Sequence, residues 1–352
     1  PWGQTARQMT SDRQTDQTAA TGPTRCSALR AVALCGLPLT LAACDFRQSA
    51  LAPAGRDAET LADLFWVLLI GAVVLWLLMN GLIFYLTRIN MASLPRRWAN
   101  RLIIGGGIIF PTVVLSALLV YALSIMPDQR APGDGLTLRV IGEQWWWRVE
   151  YLPEGSDTPI VSANEIRLPT DARADILLGA KRVIHSFWIP ALGGKMDMFP
   201  GRETRMSLEP HTPGVYRGQC AEFCGESHAK MAFEAVVMTP DDFDAWLENE
   251  AADARPPTGA EATRGADLFG TEGCGACHAI RGTEHRGQVG PDLTHIGTRH
   301  SLAAGSLGTD RADFLRWLRD PDAIKPGVEM PGYDHLPPED LAALTAYLMG
   351  LE

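Results

Sequence analysis

The stretch "GQCAEFCGESHAKM", residues 218–231, places four possible metal ligands in one short excursion of the chain. Three residues separate Cys220 from Cys224, so both sulfurs can turn toward one point, and His228 and Met231 follow closely. Soft thiolates and a thioether, combined with imidazole, favour copper. This stretch therefore predicts a metal-binding loop in the middle of the chain.

A further histidine, His185 in "VIHSFWIP", lies near the end of an earlier predicted strand and could join this loop. A mononuclear copper site needs only one cysteine, so the second thiolate requires another explanation. Two bridging thiolates can hold two copper ions, and ligation would keep the sulfurs from pairing. Two alternatives stay open: a Cys220–Cys224 disulfide, and a structural zinc site in which Met231 is unused.

Length and composition restrict the class of protein. The 352 residues suffice for two or three domains, and the net charge of −10 argues against a nucleic-acid binder. The seven cysteines form three groups rather than the even scatter of a disulfide scaffold. Two of these groups are tight pairs followed within four residues by histidine, which indicates metal or haem.

Residues 1–43 have the pattern of an export signal, in which Arg25 and Arg30 lead into a short apolar run. The run ends in "LAAC", so Cys44 is predicted to be the lipidated first residue of the mature chain. The alternative is an ordinary signal cut nearby, with Cys44 incidental. Residues 44–60 are then an external linker.

Two long apolar stretches predict a transmembrane hairpin over residues 61–126. Residues 64–86 and 102–126 carry no charged side chain, and each is long enough to cross a bilayer core of about 30 Å. The loop between them carries four arginines and no acidic residue. By the positive-inside rule this loop is cytoplasmic, so both chain ends lie on the external, periplasmic side of a bacterial inner membrane.

The pattern changes after Pro127 to short alternating segments bounded by Gly, Pro or Asp. This spacing predicts an antiparallel β-sandwich over residues 127–249, closed by a helix in "TPDDFDAWLENE". Thr239 or Asp241 is the expected helix cap. Residues 250–259 are small, polar and proline-bearing, which is typical of a linker between domains.

Residues 260–352 contain "GCGACHAI", in which Cys274, Cys277 and His278 form C-x-x-C-H, the signature of haem c attachment. Both thiols can add to the haem vinyl groups while the adjacent histidine reaches the iron. A redox-active C-x-x-C pair is the alternative. The domain also resembles a class I cytochrome c, which implies a methionine on a later loop as the sixth iron ligand, here Met330; Met349 is the other candidate, but its helical setting is typical of a core residue.

Residues 60–249 resemble subunit II of haem–copper cytochrome c oxidases, above all in "VIHSFWIPALGGKMDMFPGR" and "GVYRGQCAEFCGESHAKM". The resemblance implies a cupredoxin-like fold that holds a dinuclear copper-A centre. Cys220 and Cys224 would bridge the two coppers. The other copper ligands would be His185, His228, Met231 and the carbonyl of Glu222, whose side chain would also help hold a magnesium ion against subunit I.

The same resemblance makes Trp145, in "QWWWRVEY", the entry point for electrons from cytochrome c, with Trp146 and Trp147 as packing residues. A tryptophan run by itself more often serves packing or membrane anchoring. One departure from the family is Glu143, which stands where many members have histidine. No proton-uptake residue is assigned in this chain.

The last domain resembles an all-α class I cytochrome c. "ATRGADLFG" is similar to the N-terminal helix of that family, with Gly265 and Phe269 at a helix crossing that Tyr347 would contact. The carbonyl of Pro291 would orient the axial histidine. Methionine–histidine ligation raises the haem potential, which suits a donor to copper.

Together these features predict a multidomain membrane protein, the electron-entry subunit of a caa-type cytochrome c oxidase. Oxygen would be reduced to water, with proton translocation, in subunit I. The expected cofactors are two copper ions, one covalent haem c and a shared magnesium. The expected partners are subunits I and III, membrane lipid, and an external cytochrome c or cytochrome-c-reducing complex, with no nucleic acid.

Two other functions stay open at this point: the copper-A subunit of a nitric oxide reductase, and a membrane-tethered electron carrier. For the oxidase subunit, the haem domain is expected to be joined to the copper domain by a flexible linker, which makes electron delivery intramolecular. A linker of this length gives an effective concentration on the order of millimolar, so encounter with a free cytochrome need not limit the last transfer.

Overall fold

The computed structural model describes residues 46–89, 94–126, 131–156 and 158–352. The predicted export signal and Cys44 lie outside the described residues, as do the tip of the arginine-bearing loop and Pro127. Everything below concerns the described part of the chain.

Two long apolar helical segments occupy the predicted spans. The first runs Arg56–Ile89 with a mean hydropathy of 2.5, and the second runs Arg96–Ile125 with a mean hydropathy of 2.4. The first consists of α1 (Arg56–Phe84) and a π-helical end, Tyr85–Ile89. The second consists of α2 (Arg96–Arg101), a π-helical stretch Leu102–Ile109 that contains the glycine run, and α3 (Phe110–Ile125). Their apolar side chains are exposed in the isolated chain, as lipid-facing helices require.

Ten strands build the middle domain. They are β1 (Thr137–Glu143), β2 (Trp146–Tyr151), β3 (Ile160–Ala163), β4 (Glu165–Pro169), β5 (Ala174–Ala180), β6 (His185–Trp188), β7 (Lys195–Met198), β8 (Thr204–Leu208), β9 (Gly214–Cys220) and β10 (Ala232–Met238). They form two five-stranded sheets, in the orders β3-β2-β1-β5-β8 and β4-β10-β9-β6-β7. The predicted sandwich is therefore present.

The prediction of a wholly antiparallel sandwich is wrong, because two strand pairs are parallel. β1 pairs with β5, and β10 pairs with β4, in parallel register. Each parallel pair joins strands that are distant in sequence, which alternation within single strands cannot reveal. The sequence pattern also gave no separate β3 or β7, which have four residues each.

The core lies between the sheets because the strands alternate buried and half-buried side chains, most regularly in β1 and β2. Trp147 is at its centre, with ring centroids 5.9 Å from Phe187 and 5.1 Å from Phe233. The closing helix α4 (Pro240–Ala251) begins as predicted at Thr239, whose side chain accepts a hydrogen bond from the Asp242 amide.

A buried cluster of charges joins the first membrane helix to the sandwich. Arg173 contacts Asp57, in the first turn of α1, at 3.3 Å, and Glu209 at 2.9 Å. Ser207 accepts a further hydrogen bond from Arg173 at 3.0 Å. Separating the partners of a buried ion pair leaves an unpaired buried charge, which is strongly unfavourable. This cluster therefore fixes the position of the sandwich relative to the first membrane helix.

The C-terminal domain contains four α-helices among the described residues: α5 (Ala260–Thr271), α6 (Arg311–Arg319), α7 (Pro321–Ile324) and α8 (Pro338–Met349). The predicted crossing of α5 and α8 is present. Gly265 lies against the main chain of Ala343, where a side chain would not fit. The ring of Phe269 lies 5.8 Å from that of Tyr347, centroid to centroid.

The C-terminal domain is packed directly on the sandwich rather than held by a free tether. Residues Phe46–Glu352 form one compact unit. The linker itself is bonded to the C-terminal domain, since the Ala254 amide donates to the Arg281 carbonyl at 3.1 Å. Arg281 also donates to the carbonyl of Val161, in β3, at 3.0 Å. The expectation of a flexible linker between the domains is therefore wrong for this structure.

Candidate copper and haem centres

Three neighbouring strands converge on the predicted metal loop. β6 begins at His185 rather than ending there, β9 ends at Cys220, and β10 begins after Met231. Pairing of β6 with β9 and of β9 with β10 brings the three strand ends side by side. Residues distant in sequence are thus held together by the sheet.

The possible ligand atoms lie in a tight group. The sulfurs of Cys220 and Cys224 are 3.8 Å apart. His185 Nδ1 is 3.7 Å from the Cys220 sulfur, and His228 Nδ1 is 3.6 Å from the Cys224 sulfur. The Met231 sulfur is 3.8 Å from that of Cys224. Each imidazole therefore presents the same ring nitrogen to the sulfur pair.

This geometry decides among the alternatives for the two cysteines. Both are free thiols, and their sulfur separation is far above the roughly 2.05 Å of a disulfide. The Met231 thioether belongs to the group and is buried, so the donor set is softer than the nitrogen and sulfur set of a structural zinc site. The residues fit copper.

The thiols also influence one another electrostatically. The hydrogen bond with Cys224, together with the contact with His185 and against the effect of burial, lowers the pKa of Cys220 to about 3. The same hydrogen bond raises the pKa of Cys224. The lowered pKa of Cys220 favours its thiolate, which is the form that binds metal.

Glu222 contributes its main chain to this group. Its carbonyl oxygen lies 3.1 Å from the Cys220 sulfur, while its side chain is half-buried. The neighbouring Phe223 ring is exposed to 75%. The loop tip therefore presents both an acid and a large apolar side chain outward.

Trp145 lies directly behind the Cys224 side of the group. It is buried, and its indole Nε1 donates to the Cys224 carbonyl at 3.1 Å. The Gln144 amide donates to the same carbonyl at 2.9 Å. A single carbonyl next to a proposed ligand thus receives two side-chain hydrogen bonds from one turn.

The other two tryptophans of the run differ from Trp145. Trp147 is buried in the core, whereas Trp146 is half-buried with the Arg148 guanidinium over its ring at 4.9 Å. Glu143, the departure from the family pattern, pairs with Arg148 at 2.9 Å and Lys181 at 3.1 Å. Its carboxylate therefore has two cationic partners.

A cavity of about 370 Å³ occupies the C-terminal domain and reaches the sandwich. Cys274, Cys277, His278 and Met330 all line it, and so do Trp145 and Trp146. Such a volume lies within the range of cofactor pockets. The predicted haem residues thus surround one cavity, and Trp145, the predicted electron-entry residue, lines the same cavity.

His278 is oriented toward this cavity by the predicted contact. Its Nδ1 lies 2.7 Å from the Pro291 carbonyl, so the other ring nitrogen is free to bind iron. Burial lowers the pKa of His278, which favours the neutral imidazole that a metal requires.

Both methionine candidates are half-buried and pack against the core of the domain, but Met330 lines the cavity and Met349 does not. The structure therefore places the first methionine candidate, and not the second, on the cavity wall.

Two buried polar atoms without hydrogen-bond partners provide an independent fit test for haem. Arg299 Nη1 and Ser301 Oγ are unpaired among the described residues, and both side chains line the cavity. Haem carries two carboxylates, which are the acceptors that a buried guanidinium and hydroxyl require. The residues present fit the group.

Comparisons with known proteins agree with both centres. The family described as cytochrome c oxidase subunit II, periplasmic domain, matches residues 152–238, and the family described as cytochrome c matches residues 262–352. Cytochrome c oxidase subunit 2 of Bacillus subtilis is 30% identical over 344 residues, which are 90% of this chain and 95% of that protein. This chain belongs to the cytochrome c oxidase subunit 2 family.

Two further similarities complete the comparison. Cytochrome c oxidase subunit 2 of Alkalihalophilus pseudofirmus is 38% identical over 226 residues, 64% of each chain. The crystal structure of the periplasmic domain of subunit II of cytochrome oxidase of Bradyrhizobium japonicum is 29% identical, with a TM-score of 0.32, and covers 34% of this chain and 95% of that one. Family membership makes the chain a subunit of an oxidoreductase complex, a membrane protein with a periplasmic domain.

The four histidines of the C-terminal domain other than His278 lie in turns or loops. His285 packs on Phe269, and His335 lies 3.8 Å from Glu272. His295, in one of these turns, is 2% exposed and lies 3.2 Å from the Ala252 carbonyl. His300 pairs with Glu165, in β4, at 3.0 Å, and so joins the two external domains.

Sequence reasoning missed three residues around these centres: Gln144, Arg299 and Lys325. Gln144 and Arg299 are ordinary polar residues whose roles depend on neighbours in other elements. Lys325 stands five positions before Met330, and that proximity is the only sequence signal that could have drawn attention to it.

Proposed function

We propose that this chain is the electron-entry subunit of a terminal respiratory oxidase. It takes electrons from an external cytochrome c, or a complex that reduces one, into its haem domain. It passes them across the Trp145 surface to the copper domain and on to subunit I, where oxygen is reduced to water with proton translocation.

One observation carries this proposal: the cavity that fits haem and the group that fits copper share Trp145. The residue lines the cavity and donates its indole N–H to the carbonyl of Cys224. No mobile encounter between the domains is needed, because they are already in contact. The main chain and one aromatic side chain separate the two centres.

On the copper side, we assign Cys220 and Cys224 as bridging ligands and His185 and His228 as terminal ligands. Met231 and the Glu222 carbonyl complete the set. Their donor atoms are already close together, and most of these side chains are buried. Such a held set changes geometry little between redox states, which suits transfer with a small driving force.

On the haem side, we assign Cys274 and Cys277 to the two thioether bonds and His278 and Met330 to the iron. When bound, haem and copper supply one-electron redox chemistry. The chain itself excludes water, orients His278 through the Pro291 carbonyl, and offers Arg299 to a haem carboxylate.

The rest of the assembly follows from the topology. The arginines between the two spans support a cytoplasmic connection, with the copper and haem domains and both chain ends outside. We place the exposed loop tip around Glu222 against subunit I, where its carboxylate would contribute to a shared magnesium site. Subunit III and membrane lipid complete the proposed surroundings.

The test uses the intact complex, purified through a tag on this chain. The expected result is copurification of a large polytopic haem protein, with two coppers and one covalent haem per copy of this chain. Paramagnetic resonance should show hyperfine structure from one electron spread over two copper nuclei. A single copper, or zinc in its place, would contradict the dinuclear assignment.

Turnover of the same preparation distinguishes the remaining functions. Rapid mixing with reduced cytochrome c should reduce the haem of this chain before the copper, and oxygen should be consumed. Consumption of nitric oxide without oxygen consumption would make the complex a nitric oxide reductase. Absence of any catalytic partner would make the chain a tethered carrier.

A further inference from the structure

The loop that carries Met330 is bonded to the loop that carries the copper ligands. Ser227 donates to the Pro326 carbonyl at 2.7 Å, and Lys230 donates to the Ile324 carbonyl. The two donors flank His228, and the two acceptors lie four and six residues before Met330. The contact between the domains is therefore made by the two segments that hold the proposed ligands.

Lys325 lies at the centre of this contact. Its side chain is 2% exposed, and its ammonium donates to the carbonyl of Trp145 at 2.5 Å and to that of Ala303 at 3.0 Å. Trp145 belongs to the copper domain and Ala303 to the haem domain. One amine thus joins the electron-entry residue to the domain that delivers the electrons.

The burial of this amine requires an explanation beyond packing. Lysine is seldom fully buried unless it is paired, and both acceptors here are uncharged carbonyls rather than a carboxylate. Burial lowers the pKa of Lys325 to about 7, which shows how unfavourable the charged form is at this position. An apolar side chain of equal length would fill the same space without that cost.

We propose that Lys325 is a positioning residue, whose bonds to the Trp145 and Ala303 carbonyls hold the haem cavity in a fixed place against the electron-entry tryptophan. The same cavity is lined by Lys325, Trp145 and Met330, so a displacement of the lysine segment changes the distance between the centres. This inference rests on the proposed function, because Trp145 must lie on the electron path for its position to affect the rate.

A second contact at the same boundary serves as a matched control. Arg182, in the copper domain, pairs at 2.5 Å with Glu329 of the haem domain. Glu329 immediately precedes Met330. Their side chains are 65% and 58% exposed. Exposed pairs contribute little because water screens them, so Arg182→Gln removes a cation from the boundary without leaving a buried group unpaired.

The experiment compares Lys325→Met with Arg182→Gln in the intact purified complex. Copper resonance and haem absorption first establish that both centres are loaded. The rate of electron transfer from photoreduced haem to copper is then measured. Lys325→Met should slow this transfer about tenfold or more, because two buried carbonyls lose their donor and the docked arrangement is disfavoured. Arg182→Gln should leave the rate within about twofold of the wild type.

A distance measurement separates positioning from a general structural role. Dipolar spectroscopy between ferric haem and the copper centre should give one narrow distance in the wild type and in Arg182→Gln, and a broadened or longer one in Lys325→Met. Lys325→Gln, whose shorter amide cannot reach both carbonyls, should behave like the methionine variant. Lys325→Gln therefore takes the place of Lys325→Met in both measurements if the methionine variant fails to assemble.

The outcomes distinguish this inference from the proposed function. If the wild-type complex shows no transfer from haem to copper, the proposed function fails. If the wild type transfers normally and Lys325→Met keeps both the rate and the narrow distance, only the role of Lys325 fails. If neither lysine variant assembles with haem and copper, Lys325 is needed for folding, and the positioning role is likewise overturned.

Discussion

The copper loop and the haem cavity of this protein are built in different ways. In the copper loop, donor atoms from three converging strand ends lie within about 4 Å of their neighbours. In the haem domain, the anchoring residues stand around a space of about 370 Å³. A site for a small ion needs donor atoms that already lie close together, whereas a site for a large flat group needs a cavity of suitable size with the anchoring residues along its walls.

This difference has consequences for how each centre fails. Each copper ligand touches another ligand, so the loss of one disturbs the rest of the group. The haem anchors share the lining of the cavity with many other residues, so each can be lost with smaller effects on the rest of the site. We therefore expect abrupt failure in the copper loop and gradual failure in the haem cavity.

The largest effect is expected for Cys220→Ser. Its sulfur contacts His185, Cys224 and the Glu222 carbonyl, so the variant removes the centre of the group. Copper affinity should fall by more than the ~10–100-fold that loss of an outer-shell partner costs. Metal counting and paramagnetic resonance on the purified complex check this.

Survival of the dinuclear signal in Cys220→Ser would show that the bridging assignment is wrong. Cys274→Ser, the same exchange in the haem domain, is the matched control. It should leave the copper signal unchanged.

A smaller effect is expected for the haem in Cys274→Ser. One of two thioether bonds is lost, but Cys277, His278 and Met330 remain around the cavity. We expect most chains to retain a haem with normal axial absorption, held by a single covalent bond. Haem staining after denaturing electrophoresis and the absorption of the native complex measure this, and complete loss of haem would remove the contrast between the two centres.

Replacing each of the two proposed methionine ligands by leucine should produce separate effects of intermediate to small size. Leucine conserves most of the volume, so the cost in stability is about 1.5 kcal/mol or less. Met231→Leu should change the copper resonance and leave haem absorption intact. Met330→Leu should do the reverse and lower the haem potential, because thioether ligation raises it.

Resonance and potentiometric titration of the same preparations measure the two effects. An unchanged haem spectrum in Met330→Leu would redirect the sixth-ligand assignment to Met349 or to a histidine.

The smallest effect concerns the contact between His300 and Glu165. The hydrogen bond with Glu165 raises the pKa of His300. Burial by itself would raise the pKa of Glu165, but the bonds to His300 and the charge of Arg167 outweigh burial and lower it. The raised pKa of His300 means that its contribution is fully present below about pH 6.5 and is lost as pH rises through the raised value. The lowered pKa of Glu165 means that its contribution is present above about pH 4.5 and is lost as pH falls.

His300→Gln should remove the alkaline part of this dependence. Because the histidine is partly exposed and Arg167 and Glu234 lie nearby, the shift in melting temperature should be about 2 °C or less. Thermal unfolding of the haem domain, followed by its absorption in both proteins across this pH range, checks the prediction. Equal pH profiles would mean that the pair does not support domain contact.

Much of both candidate sites could be predicted from local sequence. Cys274, Cys277 and His278 are adjacent, and Cys220, Cys224, His228 and Met231 lie in one loop, so their chemistry is visible as a motif. His185 required the resemblance to a known family, because only pairing of β6 with β9 brings it to the loop. The parallel strand pairs were missed for the same reason: they join distant segments.

The sequence by itself determined the membrane spans, the succession of domains and the kinds of ligand, since hydropathy, alternation and ligand spacing are local properties of the chain. Only the tertiary structure decided that the haem domain lies against Trp145, that Lys325 is buried between them, and that Arg299 Nη1 has no hydrogen-bond partner among the described residues. These features depend on side chains that are distant in sequence and meet only when the domains pack. Each of them depends on a polar group that is buried between segments, and no single segment contains both that group and the residues that bury it.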